Sequence, residues 1–157
     1  MPSAKTLIYQ QELRQSSSLL KGRLIAYDNQ DVKKDQEYIA ASGTVGNQQW
    51  DSLSAKGRGP IPRCSDVGIE HYNVKTTPFD RRATKGIEGP FYHILPESVN
   101  IRGINRSEFG IHFDANVPGS AGCIVIVNEP AWEAFQKLMS HYKQAGLETV
   151  PLFVFYS

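Results

Sequence analysis

Cysteine is scarce in this chain of 157 residues: Cys64 and Cys123 are the only two. Two are too few for a disulfide framework, and two alone do not make a zinc site, so reactivity is the simplest reason for either to matter. An excess of one charge is also missing, since 17 Lys and Arg face 16 Asp and Glu for a net +1. That balance gives no polyanion-binding surface, and nucleic acid is not an expected partner. Apolar runs are short. None approaches the roughly 18 residues of a membrane span, so no membrane insertion is expected, and the opening Met1-Pro2-Ser3-Ala4-Lys5 lacks the apolar stretch of a signal peptide. Repeats and low-complexity segments are absent too. What remains, 40% apolar and 21% charged residues, predicts a single domain over 1–157 with a core of its own.

The 13 glycines and 9 prolines gather between Ser42 and Pro96, where they separate short apolar runs. This punctuation predicts a mainly β, β-rich α+β domain with long loops. Strands are expected at 7–13, 23–27, 38–41, 71–76, 91–95, 110–114, 123–127 and 152–156, with Asp28-Asn29-Gln30-Asp31 turning an early hairpin. One amphipathic helix stands out. Asn128 caps it, Pro130 fits its first turn, Gly146 ends it, and Trp132, Phe135, Leu138, Met139 and Tyr142 form an apolar stripe for packing on a sheet. Glu129 and Glu133 near its start and Lys137, His141 and Lys143 near its end follow the helix dipole, which makes His141 a solvated or capping residue.

The stretch that carries chemistry runs from Phe109 to Val127 and reads as strand, tight loop, strand. A period of two puts Ile111 and Phe113 on one face of the first strand and His112 and Asp114 on the other. The loop Asn116-Val117-Pro118-Gly119-Ser120 supplies turn residues, and Gly122 allows a close backbone approach. Cys123 then opens Ile124–Val127, a run apolar enough for a strand buried on both faces. If the two strands pair, the thiol meets the imidazole, which lowers the thiol pKa and holds an ion pair: an activated nucleophile. Backbone N–H groups around Gly122 and Cys123 are placed to stabilise an oxyanion, and either Asp114 or the Ser120 hydroxyl is placed to orient the imidazole.

His112…Ser120-Ala121-Gly122-Cys123-Ile124 resembles the active-site signature of L,D-transpeptidases, a histidine followed by Ser/Thr-x-Gly-Cys-apolar, a domain also used by secreted antibacterial effectors and phage-type relatives. Upstream, Ala41-Ser42-Gly43 and Gly57-Arg58-Gly59-Pro60-Ile61-Pro62 resemble that family's strand ending in Ser-Gly and its Gly/Pro-rich loop. The resemblance implies a β-sandwich or mixed sheet with one C-terminal amphipathic helix, a catalytic domain over 23–156, and 1–22 as an N-terminal strand or extension. It also implies a cysteine acyltransferase acting on peptidoglycan stem peptides without a cofactor. Cys123 would attack the carbonyl of the L-configured centre of the third, diamino-acid residue and expel the terminal D-amino acid. The acyl group would then pass to an amine, giving a cross-link, or to water. His112 matches the family base, Cys123 the nucleophile, and Ser120 and Gly122 the loop before it.

Four departures accompany the match. Ala121 stands where the family has a second histidine, Val125 where it has an arginine, Cys64 near a usual glycine, and the His-to-Cys spacing is shorter. Recognition of a substrate carboxylate is therefore expected from Arg102, Arg106, Arg81 or Arg82, with Trp50 a further candidate for gripping peptide or glycan and Asp114 for orienting His112 or binding substrate. Arg81, Arg82 and Lys85 otherwise read as a solvated face, and His71 and His93, beside Tyr72 and Tyr92, as structural. The available metal ligands, His71, His93, His112 and Asp114, have no spacing that supports a metal site. The function places the protein in the periplasm or cell envelope, although no signal peptide is visible. Alternatives are a wall-lytic peptidase serving as a phage lysis protein or injected toxin, and a wall-binding or virion domain without catalysis.

Overall fold

In the computed structural model, residues 5–28, 36–84, 87, 89–114 and 119–157 are described. The strands are β1 (Lys5–Gln11), β2 (Gly22–Asp28), β3 (Gln36–Thr44), β4 (Tyr72–Lys75), β5 (Phe79–Asp80), β6 (Pro90–Leu95), β7 (Ser98–Ile101), β8 (Ile104–Ser107), β9 (Gly110–Phe113), β10 (Gly119–Ile126) and β11 (Thr149–Tyr156), with helix α1 (Glu129–Gln144) before the last. Each expected strand coincides with one of these. The main sheet runs β4-β11-β1-β2-β3-β10-β9-β6-β5, and pairing of β4 with β6 closes it on itself. The mainly β architecture with one helix is thus as expected, and its mixed sheet is a closed, barrel-like one. β1–β11 and β9–β10 are its parallel pairs.

Alternation explains the closure. Leu7 and Tyr9 of β1, Leu24 and Ala26 of β2, Tyr38 and Ala40 of β3, and Val150, Leu152 and Val154 of β11 all turn to one buried face, so curling the sheet removes that face from water. Helix α1 completes the core. The Asn128 side chain accepts from the Ala131 N–H at 2.9 Å, Pro130 occupies the first turn, and Gly146 follows the helix at φ +88°. Phe135 lies 5.6 Å from Tyr38 and 5.4 Å from Tyr92, ring centre to ring centre and edge-on, and Trp132 stacks on it at 5.9 Å. Such aromatic contacts add about 0.5–1.5 kcal/mol each beyond the area they bury.

The finer expectations fare differently from element to element. Within the expected N-terminal strand or extension, Lys5–Gln11 form β1, which lies between β2 and β11 inside the closed sheet. The expected hairpin is formed by β2 and β3, but residues 29–31 of its turn lie outside the described residues. The β7–β8 hairpin, with Arg102 at φ 51° and Gly103 at φ 80° in its turn, was not anticipated, nor was the short β5 beside β6.

If β1 is a central strand, a chain beginning at Gly22 exposes the buried edges of β2 and β11. Denaturant unfolding of that truncated chain is expected to show no cooperative transition, whereas a sharp transition like that of the full chain would show that 23–156 stands alone.

Candidate active site

Strands β6, β9 and β10 carry the candidate site on the face opposite α1. Ile111, Phe113, Ile124 and Ile126 belong to the core with the helix, so His112, Val125 and Cys123 turn the other way. β9 and β10 are parallel, with Val125 beside His112 in register. Continuing the Tyr92↔Ile111 pairing of β6 and β9 by one residue sets Phe91 next to His112, and the two rings stack at 5.8 Å. Phe91 fits because Gly110 has no side chain: a Cβ there would lie 2.0 Å from the ring.

Cys123 is positioned by an irregularity. β10 pairs with β3 through Gly119 and Ser120, then again from Ile124, and the register shifts across Ala121, Gly122 and Cys123. Gly122 holds φ +101°, and a Cβ on it would meet the Arg106 guanidinium at 2.8 Å and the Phe109 ring at 2.9 Å, so only glycine fits. The Cys123 thiol donates to the Glu108 carbonyl at 3.4 Å, and Glu108 itself sits at φ 65°, a backbone conformation non-glycine residues rarely adopt.

A cleft of about 490 Å³ joins these groups, lined by His112, Ser120, Ala121, Cys123, Phe91 and Arg81 among others. His112, Cys123 and Ser120 therefore line one cleft, with the Ser120 side chain on the Cys123 thiol, and Gly122 lies in the register shift just before the cysteine. The imidazole Nδ1 faces the Phe113 carbonyl at 2.8 Å. A carbonyl only accepts, so Nδ1 carries the hydrogen and Nε2 is the basic nitrogen. Phe113 thus does the orienting expected of Asp114 or Ser120. Asp114 accepts instead from the Gly119 N–H at 3.2 Å and is not among the residues lining the cleft; burial raises its pKa, opposed by that hydrogen bond.

The electrostatics correct the expected resting ion pair. Burial pushes the Cys123 thiol up to about 11, against the Ser120 side chain, the Gly110 backbone and the Arg81 charge, which all favour the thiolate. Burial also drives His112 down to about 4, with the Phe113 carbonyl opposing and Arg81 assisting. Both groups rest neutral at pH 7. The strand packing that sets both on one cleft wall also strips them of water.

Other expected residues lie elsewhere or act differently. Arg106 is 2% exposed, and its guanidinium donates to the Leu53 and Gly59 carbonyls at 2.8 Å each and to the Pro60 carbonyl, so it forms cleft wall and is held by the main chain. Arg102 reaches the Trp50 carbonyl at 3.5 Å, and Trp50 packs against Tyr156 and under the Arg63 guanidinium; neither lines the cleft. Cys64 is buried, with its thiol toward the Leu152 carbonyl and its pKa raised by burial. His71 holds the Tyr72 carbonyl at 2.8 Å, and His93 packs edge-on to Phe91. Residues 115–118 of the expected turn, and Lys85, lie outside the described residues. Among the described residues, no three His, Cys, Asp or Glu side chains are grouped to hold a metal ion. Sequence reasoning missed Phe91 and Glu108; the glycine at 110 was the one local sign of a ring seated against β9.

No protein-family model, curated protein or solved structure matches the chain.

The depressed His112 pKa makes stability pH-dependent. Unfolded histidine titrates near 6.5 and the folded group near 4, so between these values the unfolded chain binds more protons and stability falls on acidification, by up to about 3 kcal/mol. Urea midpoints measured from pH 7 to pH 4 are expected to fall less steeply in His112→Gln. Equal slopes in the two proteins would contradict a buried neutral imidazole.

Proposed function

We propose that the protein is a cysteine-dependent acyltransferase of the L,D-transpeptidase or L,D-carboxypeptidase type, acting on peptidoglycan stem peptides through a Cys123 thioester. The observation that carries this reading is the placement of Cys123, with Ser120 beside it, in one cleft with a histidine whose tautomer leaves Nε2 basic. The choice of substrate rests on the sequence resemblance around Ser120-Ala121-Gly122-Cys123.

Because both partners rest neutral, His112 acts as a general base rather than as half of a standing ion pair. As the sulfur attacks the donor carbonyl, its proton passes to Nε2 and the carbonyl oxygen takes up the electron pair. Collapse of the tetrahedral intermediate expels the terminal amine, which receives the proton back from His112. Water or a second amine then attacks the thioester, the same imidazole removing its proton and passing it to the Cys123 sulfur as the C–S bond breaks, which restores the thiol. Arg81 supplies positive charge near both groups, which helps the anionic sulfur and opposes the imidazolium.

Hydrolysis is expected to compete strongly with cross-linking. Ala121 is exposed at the cleft and leaves open the space a larger side chain would fill, and Val125 is wholly buried beside His112 without a charge to orient a second peptide. A wall-lytic peptidase is the second reading, favoured by the same two residues.

Turnover of a purified disaccharide-tetrapeptide is the test. Cys123→Ala is expected to abolish it, Cys64→Ser to keep most of it, and His112→Ala to cost on the order of 10²–10⁴-fold. Loss with Cys64→Ser and retention with Cys123→Ala would overturn the assignment. Mass analysis of the products is expected to show mainly tripeptide; dominant cross-linked dimers would refute the hydrolytic bias.

A further inference from the structure

Arg81 differs from the other cations around the cleft. Its neighbour Arg82 is paired with Asp80 at 2.9 Å, Arg106 has its guanidinium on three carbonyls, and Arg102 lies outside the cleft. Arg81 has no ion-pair partner among the described residues, yet it is only half-exposed. Its backbone is fixed: the N–H donates to the Gly89 carbonyl at 2.8 Å, and its own carbonyl accepts from Thr84 at 2.9 Å. Its guanidinium lies 4.2 Å from the centre of the Phe91 ring, the ring that stacks on His112 and fills the gap left by Gly110. A side chain with this much freedom in water is thus held by a cation–π contact at a chosen place.

That place is where two clefts meet. The cleft containing Cys123 and a second one of about 430 Å³, lined by His93, Glu97, Ser98 and Asn105, share Arg81, Ser107 and Glu108. The charge of Arg81 is felt at both Cys123 and His112. A planar guanidinium without a hydrogen-bond acceptor among the described residues, lying over an aromatic face in the cleft that holds Cys123, matches the two oxygens of a carboxylate.

We propose that Arg81 is the specificity-determining residue of this cleft, an anion subsite that receives a carboxylate of the acyl donor close to the bond that is cut. The proposal rests on the acyl-transfer reading for the identity of its ligand, but the subsite itself is defined by Arg81, Phe91 and Cys123. It also explains how the cleft can hold an acidic peptide although Val125 occupies a position next to His112 where a charge would otherwise serve. Lys56, a further cation on the cleft wall beside the buried Arg106, is exposed and lies over no aromatic ring among the described residues.

The test separates the subsite from the reaction. In the full-length Cys64→Ser protein, Cys123 is alkylated with iodoacetate, an anion, and with iodoacetamide, its neutral analogue of similar size, and both rates are followed by intact mass. Arg81→Gln is expected to lower the iodoacetate-to-iodoacetamide ratio roughly tenfold at low salt and Arg81→Lys to recover part of it, with added salt erasing the difference. Any change in the thiolate population affects both reagents alike and cancels in the ratio, and an unchanged circular dichroism spectrum shows that the fold is intact. A ratio that does not move in Arg81→Gln overturns the proposal. With tetrapeptide donors, Arg81→Gln is expected to lose on the order of 10- to 100-fold more in kcat/KM on the free acid than on the C-terminal amide, which feels only the weaker support of the thiolate. An equal loss on both also overturns it. If no variant turns over any peptide, the acyl-transfer reading fails, and the alkylation ratio still decides whether Arg81 is an anion subsite.

Discussion

The buried guanidinium of Arg106 is the contact on which the site depends. A cation taken from water without a carboxylate is costly, and it is tolerated here because three main-chain carbonyls, of Leu53, Gly59 and Pro60, turn toward it and the Phe109 ring lies 5.6 Å away. Burial lowers its pKa, but an arginine starts high enough to stay charged. The same guanidinium presses against Gly122. One side chain therefore ties the loop at 53–60 to the bulge that presents Cys123, and it sets how closely the backbone at 122 can approach. Glycine at 59 belongs to this arrangement as well, since a Cβ there would lie 1.7 Å from the Ser52 carbonyl oxygen.

Around that anchor, the closed sheet imposes a chemical cost on the site it positions. β9 and β10 are buried strands, so a histidine and a cysteine on them lose water on one side to Phe91 and on the other to β3 and β6. Neutral forms result, and under the proposed acyl-transfer function the nucleophile is generated during the reaction rather than stored. Glu108 fits this picture: its unusual backbone angle turns its carbonyl to the thiol, which holds the hydrogen on sulfur until a substrate competes for the space. The half-exposed Arg81 is the counterweight, a charge that favours the thiolate while remaining outside the packed layer.

Much of the fold was legible in the sequence because its strands are long enough to alternate. Val150, Leu152 and Val154 or Leu24 and Ala26 declare a buried face with no tertiary information, and the stripe from Trp132 to Tyr142 declares the helix. The β7–β8 hairpin was not legible for a local reason: its turn is Arg102-Gly103, and arginine at a positive φ carries none of the signal that Asn-Gly or Asp-Gly would give. The place of β1 was hidden differently, since its parallel partner β11 lies at the far end of the chain and no short-range pattern encodes that pairing. The site divides in the same way. Cys123, His112, Ser120 and Gly122 form a compact motif on neighbouring strands and could be read directly. Arg106, expected to bind substrate, proved to be a buried clamp, because whether an arginine meets a ligand or a ring of carbonyls is decided by loops fifty residues away. Of the four arginines offered for a carboxylate, Arg81 at the end of β5 lines the cleft half-exposed, while Phe91 enters through β6 by a strand pairing that no local pattern encodes.

The central claim is that Cys123 is an acylatable nucleophile, and intact-mass analysis after exposure to a carbapenem, an activated cyclic amide, tests it most directly. The account predicts a single covalent adduct that peptide mapping places on Cys123, formed far more slowly in His112→Ala. A protein that gains no mass, or whose adduct maps to Cys64, would contradict it.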